Sequence, residues 1–275
     1  MSGWVNLSFR LVGTLALGER WYVFMGKITV NSVCLMKGRE PIAALTVYDY
    51  SMARLLDDCG VPVFLVGDSL GMVVLGLPDT TGVTMGDMIH HTRAVSRANA
   101  RALLTADLPA NSYQTPEAAV ENARQLVEAG AEAVKAEGGL VICEQVRAIV
   151  AEGIPFLGHL GMLPQNVKEE GGYKIKGRNA DERKALIEDA EALVDAGAFA
   201  LVLELVEPEV ARELTDSLPI PTIGIGSGEK CDGQILVTTD LWATSPDFIP
   251  KHVQPNTMVR AEMKKTVLAW RDSMR

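Results

Sequence analysis

About eight alternations of a short apolar run with a longer amphipathic stretch predict an α/β protein, a single (β/α)8 TIM barrel. The 275 residues and 48% apolar content suit one large α/β domain, and the composition does not break along the chain. A half-hidden repeat points the same way. Leu126-Val127-Glu128-Ala129-Gly130-Ala131 resembles Leu193-Val194-Asp195-Ala196-Gly197-Ala198, with Leu56-Asp57-Asp58-Cys59-Gly60-Val61 a looser copy. In each copy an acid follows the glycine by seven or eight residues: Glu137, Glu204 and Asp68. A short turn and one strand take up that distance. An open doubly wound sheet is the competing architecture.

Residues 42–47 read as the first strand, followed by Tyr48-Asp49-Tyr50. Residues 51–59 form a helix with Ala53, Leu55 and Leu56 on its apolar side and Gly60 as its stop. Val63–Val66 is too short for a helix and rich in strand formers, so it reads as a strand buried on both faces. It ends at Gly67, and Asp68 and Ser69 follow directly. A Gly-rich passage over residues 71–82 leads to a helix over about 85–100, with at least one of His90 and His91 expected on its surface. Residues 102–106 form another apolar strand and end on Asp107. Thr115 caps the next helix, Pro116 suits its first turn, and Gly130 ends it. Ala119, Ala123, Leu126 and Val127 give that helix its apolar face.

A strand over 131–136 ends at Glu137-Gly138-Gly139, and a helix over 143–152 leads into the strand of residues 155–159. The long loop 160–180 contains Gly171-Gly172-Tyr173-Lys174, and loops of this length are functional or disordered. Leu186, Ala190, Leu193 and Val194 mark a helix stopped by Gly197. Residues 200–203 form a strand ending at Glu204, and residues 208–217 a helix. Residues 221–225 and 234–237 supply the last strands, and 258–275 a helical tail.

Residues 25–275 are therefore expected to form one barrel domain with that tail attached. Residues 1–24 lack clear periodicity and read as an N-terminal extension, open to disorder. Residues 11–17 are a weak apolar patch without a cleavage site, unlike a signal peptide. No apolar run approaches the ~20 residues of a membrane span. The formal charge of −9 gives no basic footprint, which argues against nucleic acid as a partner. Cys34, Cys59, Cys143 and Cys231 are scattered, without CxxC or metal-finger spacing, and read as reduced thiols of a cytoplasmic protein.

Asp68, Asp107, Glu137 and Glu204 each follow an apolar strand directly. A charge at the end of a buried parallel strand costs free energy unless it meets a metal, a partner or water. Barrels place their chemistry at those ends. A lone acid of this kind is more often a helix cap or a surface charge; four in succession point to a common rim. Period-two alternation puts Lys135 on the face of Glu137, and Val202 on that of Glu204. The rim is thus expected to gather Asp68, Ser69, Asp107, Lys135, Glu137, His159 and Glu204. Carboxylates without cysteine suit a hard divalent cation, Mg2+ before zinc, and leave Glu204 for proton transfer. A lysine beside them can neutralise a substrate carboxylate or an enolate oxygen. His159 reads equally well as a hydrogen-bonded structural histidine. The glycines of residues 224–228 fit either a phosphate cradle or close packing near the rim.

From about residue 38 to 251 the chain resembles the ketopantoate hydroxymethyltransferase family. The stretches that carry the resemblance include Leu65-Val66-Gly67-Asp68-Ser69-Leu70-Gly71-Met72, Ala106-Asp107-Leu108-Pro109 and Val134-Lys135-Ala136-Glu137-Gly138-Gly139. Gly158-His159-Leu160-Gly161-Met162-Leu163-Pro164-Gln165, Leu201-Val202-Leu203-Glu204 and Ile223-Gly224-Ile225-Gly226-Ser227-Gly228 continue it. The resemblance implies a barrel of the phosphoenolpyruvate/pyruvate type, Mg2+ dependence and a homodecamer of two stacked pentamers. By that analogy Asp68, Asp107 and Glu137 form the metal shell, and Ser69, Asp107 and Lys135 contact the oxoacid. His159 lines the pocket and Glu204 is the general base. The implied activity moves a hydroxymethyl group from 5,10-methylenetetrahydrofolate to 3-methyl-2-oxobutanoate through a Mg2+-stabilised enolate. The product is ketopantoate, in the first step of pantothenate synthesis. The chain departs from the family pattern at Ala110, Leu205, Lys176 and Thr238-Thr239-Asp240-Leu241-Trp242.

Two other readings compete. A related Mg2+-dependent lyase or mutase acting on oxoacids would generally carry a catalytic cysteine or another acid pattern, and no cysteine here falls at a strand end. A non-catalytic oligomeric scaffold on a retired barrel would have no use for four rim acids and Lys135.

Overall fold

The computed structural model describes residues 26–245, 249–255 and 258–274. The extension expected over residues 1–24 lies outside them. The chain opens with α1 (Val30–Met36), β1 (Ile42–Thr46), α2 (Tyr50–Asp58), β2 (Val63–Val66) and the short α3 (Leu70–Val73). Next come α4 (Met85–Ser96), β3 (Leu103–Asp107), α5 (Pro116–Glu128), β4 (Ala133–Glu137) and α6 (Cys143–Ala151). The second half runs β5 (Phe156–Gly161), α7 (Ala180–Asp195), β6 (Ala200–Glu204), α8 (Pro208–Ser217), β7 (Thr222–Ile225) and β8 (Gly233–Leu236). It finishes with the short α9 (Thr238–Leu241) and with α10 (Val259–Asp272).

The strands pair in chain order, all parallel, and β8 returns to β1 to close the barrel. Alternation along the strands separates two cores. Ile42, Ala44, Val63, Leu65, Leu103, Ala133, Leu157, Ala200, Val202, Ile223 and Ile235 pack together inside the barrel. The intervening residues, among them Phe64, Val66, Leu104, Ala106, Val134, Ala136, Leu201 and Leu203, pack outward against Leu56, Ala123, Leu126, Val146, Ile149 and Leu193 of the helices. Burying side chains of this kind stabilises the fold by roughly 1.5–3 kcal/mol each. The register sets Asp107 beside Lys135, Glu137 beside His159 and Gly161 beside Glu204.

Helix starts follow their sequence signals. Thr115 accepts a hydrogen bond from the Ala118 N–H at 3.2 Å, and Pro116 fills the first turn of α5. Thr84 and Asp87 form a reciprocal capping box at the head of α4. Helix α1 is unanticipated: its one buried turn, Val33 and Met36, is too little apolar periodicity to read in seven residues. It joins the interior core and closes the barrel floor, its Lys37 ammonium reaching the Thr215 carbonyl and the Asp232 carboxylate at 2.8 Å each. The long loop is shorter than expected, because β5 runs to Gly161 and Pro164–Asn166 forms a 3-10 turn.

Candidate active site

At the C-terminal rim, a cavity of about 170 Å³ is lined by all seven residues expected there: Asp68, Ser69, Asp107, Lys135, Glu137, His159 and Glu204. Asp107, Lys135, Glu137, His159 and Glu204 lie on β3 to β6 in phase with the interior residues, so the strands aim them into the barrel mouth. Asp68 and Ser69 stand just past β2, in the turn that opens α3.

The polar groups interlock. The Lys135 ammonium donates to Asp107 Oδ1 at 2.5 Å, and the Asp68 N–H donates to Asp107 Oδ2 at 3.1 Å. The Ser69 and Tyr48 hydroxyls lie 3.0 Å apart. His159 stands between two acids, with Nδ1 3.5 Å from Glu137 Oε1 and Nε2 3.3 Å from Glu204 Oε2. Neither ring nitrogen makes a well-directed hydrogen bond. These are contacts of charge rather than aligned bonds.

Burial and charge then act against each other. Burial lowers the basicity of Lys135, but Asp107, Glu137 and Asp68 outweigh it, and the ammonium holds its proton above the usual lysine range. Burial and the Lys135 charge likewise push His159 down, whereas Glu137 and Glu204 pull it up to about 9. Burial raises the Glu137 carboxyl, but His159, Lys135 and the Gln165 N–H more than offset that and leave it below its ordinary value. At Asp68 the pull of Lys135 and of the Gln165 amide is outweighed. Burial, then Asp107 and Glu137, hold its carboxyl well above the usual carboxylate range.

That excess negative charge at Asp68 is what a cation would neutralise. Among the described residues no three His, Cys, Asp or Glu side chains gather as an all-protein metal cage. Mg2+ needs none, since it binds through one or two carboxylates with water and substrate oxygens completing the shell. The donors are hard oxygens without sulfur, so the residues fit Mg2+ and disfavour zinc.

Several residues in or behind the cavity wall were not foreseen as site residues. Gln165 donates from its amide to Asp68 Oδ2 at 2.8 Å, and Tyr113 hydrogen-bonds the same amide. Tyr173 of the long loop lines the cavity, its hydroxyl pushed up to about 12 by burial and then by Glu204 and the other acids. Asp240, within the segment that departs from the family pattern, is buried in the cavity wall and accepts a hydrogen bond from the Ser245 hydroxyl. An acid shortly after β8 repeats the strand-end pattern, which is the one signal that could have found it. The other departures leave the acids in place. Leu205, next to Glu204, holds a left-handed φ of 47°. His91 donates from Nδ1 to the Tyr48 carbonyl at 2.6 Å, whereas His90 is exposed. The late glycines favour close packing: a Cβ at Gly226 would meet Leu205 at 2.7 Å, and one at Gly228 would meet Pro208 at 2.9 Å.

A family model described as ketopantoate hydroxymethyltransferase matches residues 27–275. The 3-methyl-2-oxobutanoate hydroxymethyltransferase of Pyrobaculum aerophilum is 49% identical, over 84% of this chain and 90% of its own. That of Moorella thermoacetica is 48% identical, over 90% of this chain and 94% of its own. Among solved structures, a 2,3-dimethylmalate lyase of the PEP mutase/isocitrate lyase superfamily superposes with a TM-score of 0.55 at 18% identity. That match covers 89% of this chain and 86% of the lyase, and it shows the shared barrel fold.

Proposed function

The chain belongs to the ketopantoate hydroxymethyltransferase family and is an enzyme of that kind; on that premise we propose that it converts 3-methyl-2-oxobutanoate to ketopantoate with 5,10-methylenetetrahydrofolate as the one-carbon donor. Water supplies the new hydroxyl oxygen and tetrahydrofolate leaves. The observation that supports this reading best is the meeting of Asp68, Asp107, Lys135, Glu137, His159 and Glu204 in one cavity.

Asp68, Asp107 and Glu137 would hold Mg2+, one or two of them directly and the rest through water. Bound there, the ion supplies Lewis-acid polarisation of the oxoacid, worth several kcal/mol. Ser69 and Asp107 orient the oxoacid, and the buried Lys135 ammonium meets the negative charge that grows on its oxygens. Glu204 takes the proton from the branched C3 carbon, a role worth roughly 10²–10⁴-fold. His159, between Glu204 and Glu137, holds the base in place. The folate enters from the mouth, past Tyr173 and the long loop. The apolar side chains of α10 are exposed and suit contact with further copies of the chain in a homodecamer. The four free cysteines suit a reducing cytoplasm.

Exchange of the C3 proton tests the assignment of the base. Glu204→Gln, incubated with Mg2+ and 3-methyl-2-oxobutanoate in D2O, is expected to lose exchange followed by NMR while still binding the ion. Persistent exchange would make another group the base.

A further inference from the structure

We infer that Gln165 is a positioning residue that fixes Asp68 and Glu137 for the divalent cation, and that Tyr113 sets the direction of its amide. The inference rests on the metal reading above. Gln165 lies in the 3-10 turn Pro164–Asn166 after β5, yet it touches one acid just past β2 and one at the end of β4. Its backbone N–H donates to Glu137 Oε2 at 3.0 Å. Its side-chain amide donates to Asp68 Oδ2 at 2.8 Å and to the Leu108 carbonyl at 3.1 Å. The amide oxygen accepts from the Tyr113 hydroxyl at 2.6 Å.

The direction of that amide is determined by its neighbours. The Leu108 carbonyl is an acceptor only, so a reversed amide would set oxygen against oxygen there and at Asp68. The Tyr113 hydroxyl has one proton and two acceptors in reach, Gln165 Oε1 at 2.6 Å and the Glu137 carbonyl at 3.2 Å. The shorter contact takes the proton and pins the amide with its nitrogen toward Asp68. One residue thus engages one oxygen on each of two mutually repelling carboxylates and leaves Asp68 Oδ1 for the ion, while Glu137 Oε1 stays 3.5 Å from His159 Nδ1. Donors of this kind orient ligands, and their loss typically weakens metal binding about 10–100-fold.

Titration calorimetry with Mn2+ on the full chain, in the absence of substrate, separates the possibilities. Gln165→Leu keeps the backbone N–H to Glu137 and removes the hold on Asp68, so its Kd is expected to rise about 10–100-fold. Gln165→Glu replaces the donor with an acceptor and is expected to weaken binding at least as much. Tyr113→Phe leaves every contact to the acid side chains and removes the pin, together with the 3.2 Å approach to the Glu137 carbonyl. It is expected to weaken Mn2+ binding by less than Gln165→Leu, and it keeps the test open should the latter fail to fold. Melting curves of the metal-free variants distinguish lost positioning from lost structure. Unchanged Mn2+ affinity in a folded Gln165→Leu or in both folded Gln165→Glu and Tyr113→Phe would overturn the inference and leave the family activity standing. A wild-type chain that binds no Mn2+ would overturn the metal reading and this inference together.

Discussion

At the scale of single residues, the site holds more negative charge than its cations balance. Asp107 has the Lys135 ammonium and Glu137 has His159, whereas Asp68 is 5% exposed and meets two further carboxylates. Its folded carboxyl takes up a proton more readily than the unfolded one. As pH rises from the ordinary aspartate range through the raised folded pKa, the fold therefore loses stability. Asp68→Asn is expected to melt higher than the wild type at pH 7 without metal, with the gain shrinking toward pH 3, and to lose its Mn2+ response. Equal or lower melting of Asp68→Asn would mean that the cluster carries no such repulsion. The opposite change has the opposite sign. Lys135→Met strips the partner from a buried carboxylate, and breaking a buried pair costs about 3–5 kcal/mol. Chemical denaturation of the metal-free chain checks it. The acids and Lys135 were legible because charge is costly at the end of a buried strand and period two fixes its direction. Gln165 and Tyr113 were not, since an uncharged polar residue in a loop carries no such cost and its partners come from distant strands.

At the scale of elements, the site depends on how β5 and β6 end. Gly161, the last residue of β5, has φ of 97° and lies opposite Glu204. A Cβ there would stand 2.1 Å from the Glu204 carbonyl oxygen and 2.7 Å from Val206. Gly161→Ala must therefore shift the backbone that carries the base, besides paying roughly 1–3 kcal/mol for a left-handed alanine. It is expected to lower both the melting temperature and kcat; Gly153→Ala, with φ of 77° but open space around its Cβ, is expected to lower only the first. Equal kcat in the two variants would show that the close approach at Gly161 does not position Glu204. Strand and helix alternation was readable because each helix carries an apolar stripe and a defined stop. What escaped was α1, whose partner is the barrel floor rather than a sheet face, and the end of β5, where Leu160-Gly161 continues the strand beyond the expected end at His159.

For the molecule as a whole, α10 is the element the barrel does not explain. It buries no residue against the rest of the chain, although Met263, Val267 and Trp270 recur at helical spacing and are 57%, 60% and 64% exposed. A stripe of this kind on one side of a helix is the signature of an element that packs, and here the described chain leaves it mostly uncovered. The barrel has a matching gap: the outward residue of β8, Gln234, is exposed where an eighth covering helix would lie, and its neighbours Ala43 and Leu45 on β1 are only half-buried. Each side chain of the stripe that becomes buried between copies contributes about 1.5–3 kcal/mol, enough together to hold an assembly at micromolar concentration. The double variant Val267→Glu, Trp270→Glu places two charges in that stripe without touching the barrel. Its mass by light scattering is expected to fall below that of the wild type, with the helical content of the barrel retained by circular dichroism. An unchanged mass would move the interface away from α10, and a wild-type chain that runs as a monomer would sink the decamer itself.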